Sequence, residues 1–200
     1  MITAKNAAAC ASADRRTLRK AMLEKRRQAQ LDDPAIAGVL GDHLLAWLEA
    51  HDFSCVGFYR PIRAEPDLTE ALCRWQAGGD GRRLCVPVID SFEDGRMHYS
   101  LWQPGAERPG AAGIAEPETD EPVQPDVILS PCVGFTNAGF RLGNGGGFFD
   151  RWLARARQGG GAPVTVAVAV ECLRTEAFEV QPHDEPMDWI ATEAGVRRRA

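Results

Sequence analysis

The sequence predicts an α/β fold, a mainly parallel sheet flanked by helices. Two observations point there. Short runs rich in strand formers alternate along the chain with amphipathic segments of helical period. Thr165 to Val170 also keeps a continuous apolar character, as a strand covered on both faces must. The chain has 200 residues, below the ~250 at which single cores stop growing. One domain over residues 14–200 is therefore expected, behind a flexible N-terminal tail at 1–13.

The elements follow in order. Asp14 to Gln30 carries helix formers without glycine or proline, with Leu18, Met22 and the stems of Lys25 and Arg26 on one side. Lys20, Lys25, Arg26 and Arg27 read as a solvated basic face. Asp32, Asp33 and Pro34 supply an N-cap and a first-turn proline for a second helix. In it Ile36, Val39, Leu40, Leu44, Trp47 and Leu48 recur at helical spacing. Cys55 to Tyr59 reads as a strand, and Leu68, Leu72 and Trp75 mark a third helix. Leu84–Ile89 and Met97–Leu101 read as strands joined through the Asp94-Gly95 turn. Trp102 to Pro125 holds five prolines and three glycines, which predicts a long ordered loop. Val127–Ser130 resumes a buried strand, Phe148–Arg157 a helix and Thr165–Val170 a strand. The Arg197-Arg198-Arg199 run reads as a solvated end.

Composition narrows function. The formal charge of -5 argues against a nucleic-acid binder, which needs a broad cationic surface. No apolar stretch approaches the ~20 residues that span a bilayer, so no membrane partner is expected. The six cysteines lack zinc-site or disulfide-framework spacing and read as reduced thiols of a cytoplasmic protein. Only three of 23 cations are lysine; the arginine forks suit phosphate and carboxylate partners.

The segment with the most chemical content runs from Asp126 through the strand to Arg141-Leu-Gly-Asn-Gly-Gly-Gly-Phe-Phe-Asp-Arg151. Gly143, Gly145, Gly146 and Gly147 let backbone N–H groups converge on an oxyanion at a helix start, and phosphate is the natural guest. The spacing fits neither the P-loop nor the complete dinucleotide fingerprint.

This motif strongly resembles the signature of the 5-formyltetrahydrofolate cyclo-ligase family. Arg15-Arg-Thr-Leu-Arg19, Tyr59 to Glu65, Leu101 to Gly105, Gly113 to Pro117, and His183-Asp184 through Glu193 agree with it in order. The resemblance implies a sheet like that of the phosphosugar isomerase and CoA-transferase group. It also implies an enzyme that closes 5-formyltetrahydrofolate to 5,10-methenyltetrahydrofolate with ATP and Mg2+, through a phosphorylated formyl intermediate; a monomer is expected.

Residue by residue, the resemblance makes Arg141 and Asp150 catalytic. It assigns ATP to Arg15, Arg19, Arg141, Leu142, Gly143, Asn144, Gly145, Gly146, Gly147, Phe148 and Phe149. The folate falls to Arg60, Glu65, Trp102, Asn144, Gly145, Gly146, Gly147 and Phe148, and magnesium to Asp150 and Asp184. Arg15 stands where the family usually has lysine, Arg60 where relatives are often apolar, and Phe148 and Phe149 where tyrosines are common. Two other readings are a sugar-phosphate isomerase, whose loop would take the substrate phosphate without ATP, and a noncatalytic folate- or nucleotide-binding protein.

Overall fold

Alternation along the strands decides which helices lie where. In a computed structural model describing residues 4–110 and 113–200, with the side chains of the first helix described from Arg15 onward, seven strands form one sheet in the order β11-β10-β9-β6-β1-β2-β3. The strands are β1 (Cys55–Gly57), β2 (Arg83–Ser91), β3 (Arg96–Trp102), β6 (Val127–Pro131), β9 (Val164–Val168), β10 (Trp189–Thr192) and β11 (Gly195–Arg198). The inner five run parallel; β3 and β11 close the edges antiparallel.

Successive side chains of a strand point to opposite faces. Val56, Val127, Leu129 and Val166 join Leu40, Leu44, Leu72 and Trp75 of α2 (Ile36–Glu49) and α3 (Thr69–Ala77). The intervening Cys55, Ile128 and Ala167 face Trp152 and Leu153 of α4 (Phe148–Gln158), with Met22 and Ala29 of α1 (Ala4–Asp32) against the same cluster. The sheet is thus buried on both sides, and the predicted fold class holds.

Several boundaries differ from expectation. The first helix begins at Ala4, so of the tail expected at 1–13, residues 4–13 have helical backbone and 1–3 lie outside the described residues. The second helix starts after Pro34: Asp33 Oδ1 accepts from Ala35 N at 3.0 Å in the preceding turn, and Ala35 is the cap residue without a side-chain bond. The long loop contains a hairpin, β4 (Glu107–Pro109) paired with β5 (Ala115–Pro117). Pro109 and Pro117 cannot donate to its ladder, which is why the segment does not read as strand. A second small hairpin joins β7 (Gly134–Phe135) to β8 (Arg141–Leu142).

Arg198 and Arg199 are exposed, as expected of a solvated end, but Arg197 and Arg198 also belong to the edge strand β11. Arg197 donates to Asn137 Oδ1 at 3.1 Å, and Arg198 lies over the Trp189 ring at 5.1 Å. The five described cysteines are free thiols. Among the described residues no helix is long and apolar enough to cross a membrane.

Candidate active site

The chain leaves β1 toward β2 on one side and later returns to β6 on the other. At such a reversal the segments leaving the carboxyl ends of neighbouring parallel strands diverge and open a crevice. Here they are Phe58–Glu65 after β1 and Cys132–Gly147 after β6. A cleft of about 290 Å³ lies between them, roofed by α1 and bordered by the β2–β3 turn and the β4–β5 hairpin.

The glycine loop forms one wall. Gly145 takes φ 105°, a conformation that side-chain-bearing residues rarely adopt. Gly147 is the N-cap of α4, and no side chain among the described residues caps that end, so the first-turn amides stay available to a ligand. Arg19 Nε donates to Gly143 O at 2.9 Å, placing its guanidinium along the loop. Burial and the adjacent Arg15 lower the Arg19 pKa, with Asp184 opposing. Arg15 Nη2 meets both carboxylate oxygens of Asp184 at 3.1 Å. Arg141, almost wholly buried, pairs with Asp150 Oδ2 at 3.1 Å and lies 5.3 Å over the Phe149 ring. Two partly buried arginine–aspartate pairs therefore face one cleft.

The opposite wall is the loop after β1. Glu65, 5% exposed, accepts from Ile62 N at 3.0 Å and from Asn144 Nδ2 at 2.9 Å. Burial raises its pKa, while those two bonds and the charges of Arg26 and Arg63 pull it back. The bond to Asn144 ties this loop to the glycine loop. Ile89, Phe92, Met97 and Phe148 add an apolar flank, with the Phe92 and Phe148 rings edge to face at 5.9 Å. Arg151 donates to Gly146 O and, through Nε at 3.4 Å, to Gly95 O, joining the loop to the β2–β3 turn.

Most residues singled out in the sequence meet here: Arg15, Arg19, Arg60, Glu65, Arg141, Gly143 to Asp150, and Asp184 all line the cleft. Two do not. Leu142 is fully buried in β8, its carbonyl accepting from Val133 N at 2.7 Å, so it supports the loop rather than facing a ligand. Trp102 is 3% exposed, packs edge to face on Phe58 at 5.1 Å and donates to Glu107. It lies beneath Arg60, which stacks over it at 5.4 Å and pairs with Glu107 at 3.1 Å. The long loop thus supports the pocket through Glu107 while Trp102 stays in the core.

One residue read as solvated is fully buried. Arg26 reaches through the base of the site to Arg63 O at 2.7 Å and Cys132 O at 3.4 Å. The signal was available: 15, 19 and 26 fall on one stripe of a 3.6-residue helix. Pro87, Ile114, Glu116 and His183 also line the cleft, but their spacing carries no mark of it.

A family model described as the 5-formyltetrahydrofolate cyclo-ligase family matches residues 11–193. The chain belongs to the 5-formyltetrahydrofolate cyclo-ligase family. It is 33% identical over 128 residues to the 5-formyltetrahydrofolate cyclo-ligase of Escherichia coli K12, covering 61% of this chain and 68% of that one. It is 30% identical over 190 residues to the Mycolicibacterium smegmatis cyclo-ligase, covering 88% and 91%. The solved structure of Aquifex aeolicus 5,10-methenyltetrahydrofolate synthetase superposes with a TM-score of 0.76 at 28% identity, covering 92% of each chain. The Aquifex structure thus shares the fold of this chain, in which the glycines of the Arg141–Arg151 motif border the cleft at the strand reversal.

Proposed function

We propose that this protein uses ATP to close 5-formyltetrahydrofolate to 5,10-methenyltetrahydrofolate, releasing ADP and phosphate, in the cytoplasm and as a monomer. The observation that carries the reading is the pairing of two unlike walls in one cleft. One is built for phosphates, with open amides and arginines; the other offers a buried carboxylate to an amino heterocycle. The Glu65–Asn144 bond joins the two.

The chemistry needs that juxtaposition. A formyl amide is a poor electrophile and its oxygen a poor leaving group. The formyl oxygen attacks the γ-phosphorus, the bond to ADP breaks, and an imidate-like phosphate forms. The second folate nitrogen then attacks the formyl carbon and gives up its N–H proton, and phosphate departs with the oxygen, taking up that proton or leaving it to solvent. No protein nucleophile is consumed; orientation and charge neutralisation supply the acceleration. Arg15, Arg19 and Arg141 would balance charge developing on the phosphoryl oxygens. The apolar surface of Met97 and Phe148, flanked by the half-exposed Phe92, would disfavour water that could otherwise intercept the activated formyl group.

Magnesium keeps several waters and takes one or two carboxylates besides substrate phosphates. Among the described residues no three His, Cys, Asp or Glu side chains gather to hold a metal alone. Asp150 uses Oδ2 for Arg141 and Oδ1 for Glu185 N, at 3.1 and 3.3 Å, so each oxygen keeps a lone pair. Asp184 is more occupied, by Arg15 and by Gln181 N at 2.8 Å. The donor set fits the ion: Asp150 would hold it, with Asp184 joining when phosphate draws Arg15 away. When bound, the ion would supply charge neutralisation on the phosphates.

The test is direct. Purified protein with 5-formyltetrahydrofolate, ATP and magnesium should generate the methenyl chromophore. Folate binding without ATP-dependent product would instead support a noncatalytic binding protein.

A further inference from the structure

We infer that Arg26 is a positioning residue for the folate half of the cleft, holding the Arg63–Glu65 turn and the Glu65 carboxylate in the geometry that receives the pterin. This rests on the functional reading above. Arg26 does not line the cleft, so it acts through other groups. A guanidinium with no exposed surface is costly to bury unless it is paired and hydrogen-bonded. Here it spans three separate segments: it leaves α1, donates to Arg63 O after β1 and Cys132 O after β6, and stands 3.9 Å from Glu65 Oε1.

What it holds is unusual backbone. Arg63 and Ala64 take φ 50° and 58°, in the left-handed region that non-glycine residues avoid. Two such residues in succession persist only where the surroundings over-determine them. The turn's internal bonds are Glu65 N to Ile62 O at 2.9 Å and Ile62 N to Glu65 Oε2 at 3.0 Å. The Arg26 bond to Arg63 O, at 2.7 Å, anchors it from below. Removing it frees the turn and leaves Glu65 without its nearest buried cation. The charged and titratable groups facing Glu65 are then Arg63 and Tyr59 of its own segment and Cys132 after β6, with neutral Asn144 across the cleft.

The experiment measures KM for 5-formyltetrahydrofolate and for ATP separately in wild type, Arg26→Gln, Arg26→Lys, Glu65→Gln and the Arg26→Gln/Glu65→Gln double variant. Arg26→Gln should raise the folate KM by about tenfold or more, the effect of losing one hydrogen bond to a charged group, and leave the ATP KM within about twofold. Arg26→Lys, keeping charge without the fork, should fall between wild type and Arg26→Gln. In the Glu65→Gln background the second substitution should add little, because both act through one carboxylate. The folate KM of Arg26→Gln should also climb with acidification from a higher pH than in wild type, since Glu65 then protonates more readily.

Equal rises in both KM values, or fully multiplying effects of the two substitutions, would overturn the assignment. If Arg26→Gln does not fold, Arg26→Lys decides: a raised folate KM supports the role and an unchanged one refutes it. Wild-type protein that makes no methenyl product brings down the functional reading itself, a result distinct from any pattern among the variants.

Discussion

Gly145 offers a clean separation of backbone strain from steric blockage. At φ 105° an alanine is disfavoured whatever the space around it. The space is adequate: a Cβ there would meet nothing closer than Arg19 Cζ, at 3.7 Å. The penalty is about 1–2 kcal/mol for an L-residue forced into this half of conformational space. Gly160, at φ 75° with nothing among the described residues within 4 Å of its would-be Cβ, carries a similar penalty at the far end of α4, away from the cleft. Gly145→Ala and Gly160→Ala should therefore lower Tm alike, by about 2–8 °C for a chain of this size. Only Gly145→Ala should also raise the ATP KM, about 5–30-fold if the loop must relax and turn its amides away. Thermal melts and ATP titrations on both variants read the two effects independently. If Gly145→Ala melts like Gly160→Ala yet binds ATP as wild type does, the loop is not the phosphate cradle.

Asp150→Asn keeps an acceptor for Glu185 N but removes the charge beside Arg141; turnover should fall and require more magnesium, and an unchanged magnesium dependence would remove Asp150 from the metal site. Tyr99 is 1% exposed and its hydroxyl has no hydrogen-bond partner among the described residues, so Tyr99→Phe should raise stability by about 1 kcal/mol, read as a higher urea midpoint; a lower midpoint would show that the hydroxyl is satisfied. His98 bridges Asp90 and Asp120, both at 2.7 Å. Burial depresses its pKa, but the two carboxylates outweigh that and raise it. The bridge's contribution is thus complete below the unfolded histidine value near ~6.5 and is lost as pH rises through the higher folded value. His98→Asn should flatten the dependence of Tm on pH across that range, and an unaltered slope would assign the dependence to other groups.

The parallel core was legible because its strands are short, apolar and separated by helices of clear period, as in Val56, Val127 and Val166 against Leu40 and Leu72. The glycine loop was legible because four glycines after a buried strand have few other uses. What escaped was set by tertiary context. The β4–β5 hairpin contains prolines that argue against pairing, and β11 looks like a charged tail because an edge strand presents arginines outward. Trp102 and Leu142 sit one layer behind the surface their neighbours form, a distinction of depth that spacing does not encode. Arg26 was misjudged by its residue type: cations are almost never fully buried unless paired, and its partners are mainly backbone carbonyls distant in sequence.

The Arg15–Asp184 contact joins residues 169 positions apart. Bringing such distant partners together carries a loop-closure entropy that grows with the intervening length. A chain whose last segment has not docked can therefore hold β1, β2, β3, β6 and β9 together and still lack both β10–β11 and a complete pocket. Fraying of the first helix would likewise disarm catalysis at a free-energy cost below that of global unfolding, and amide exchange along that helix would register it earlier than exchange in the strands.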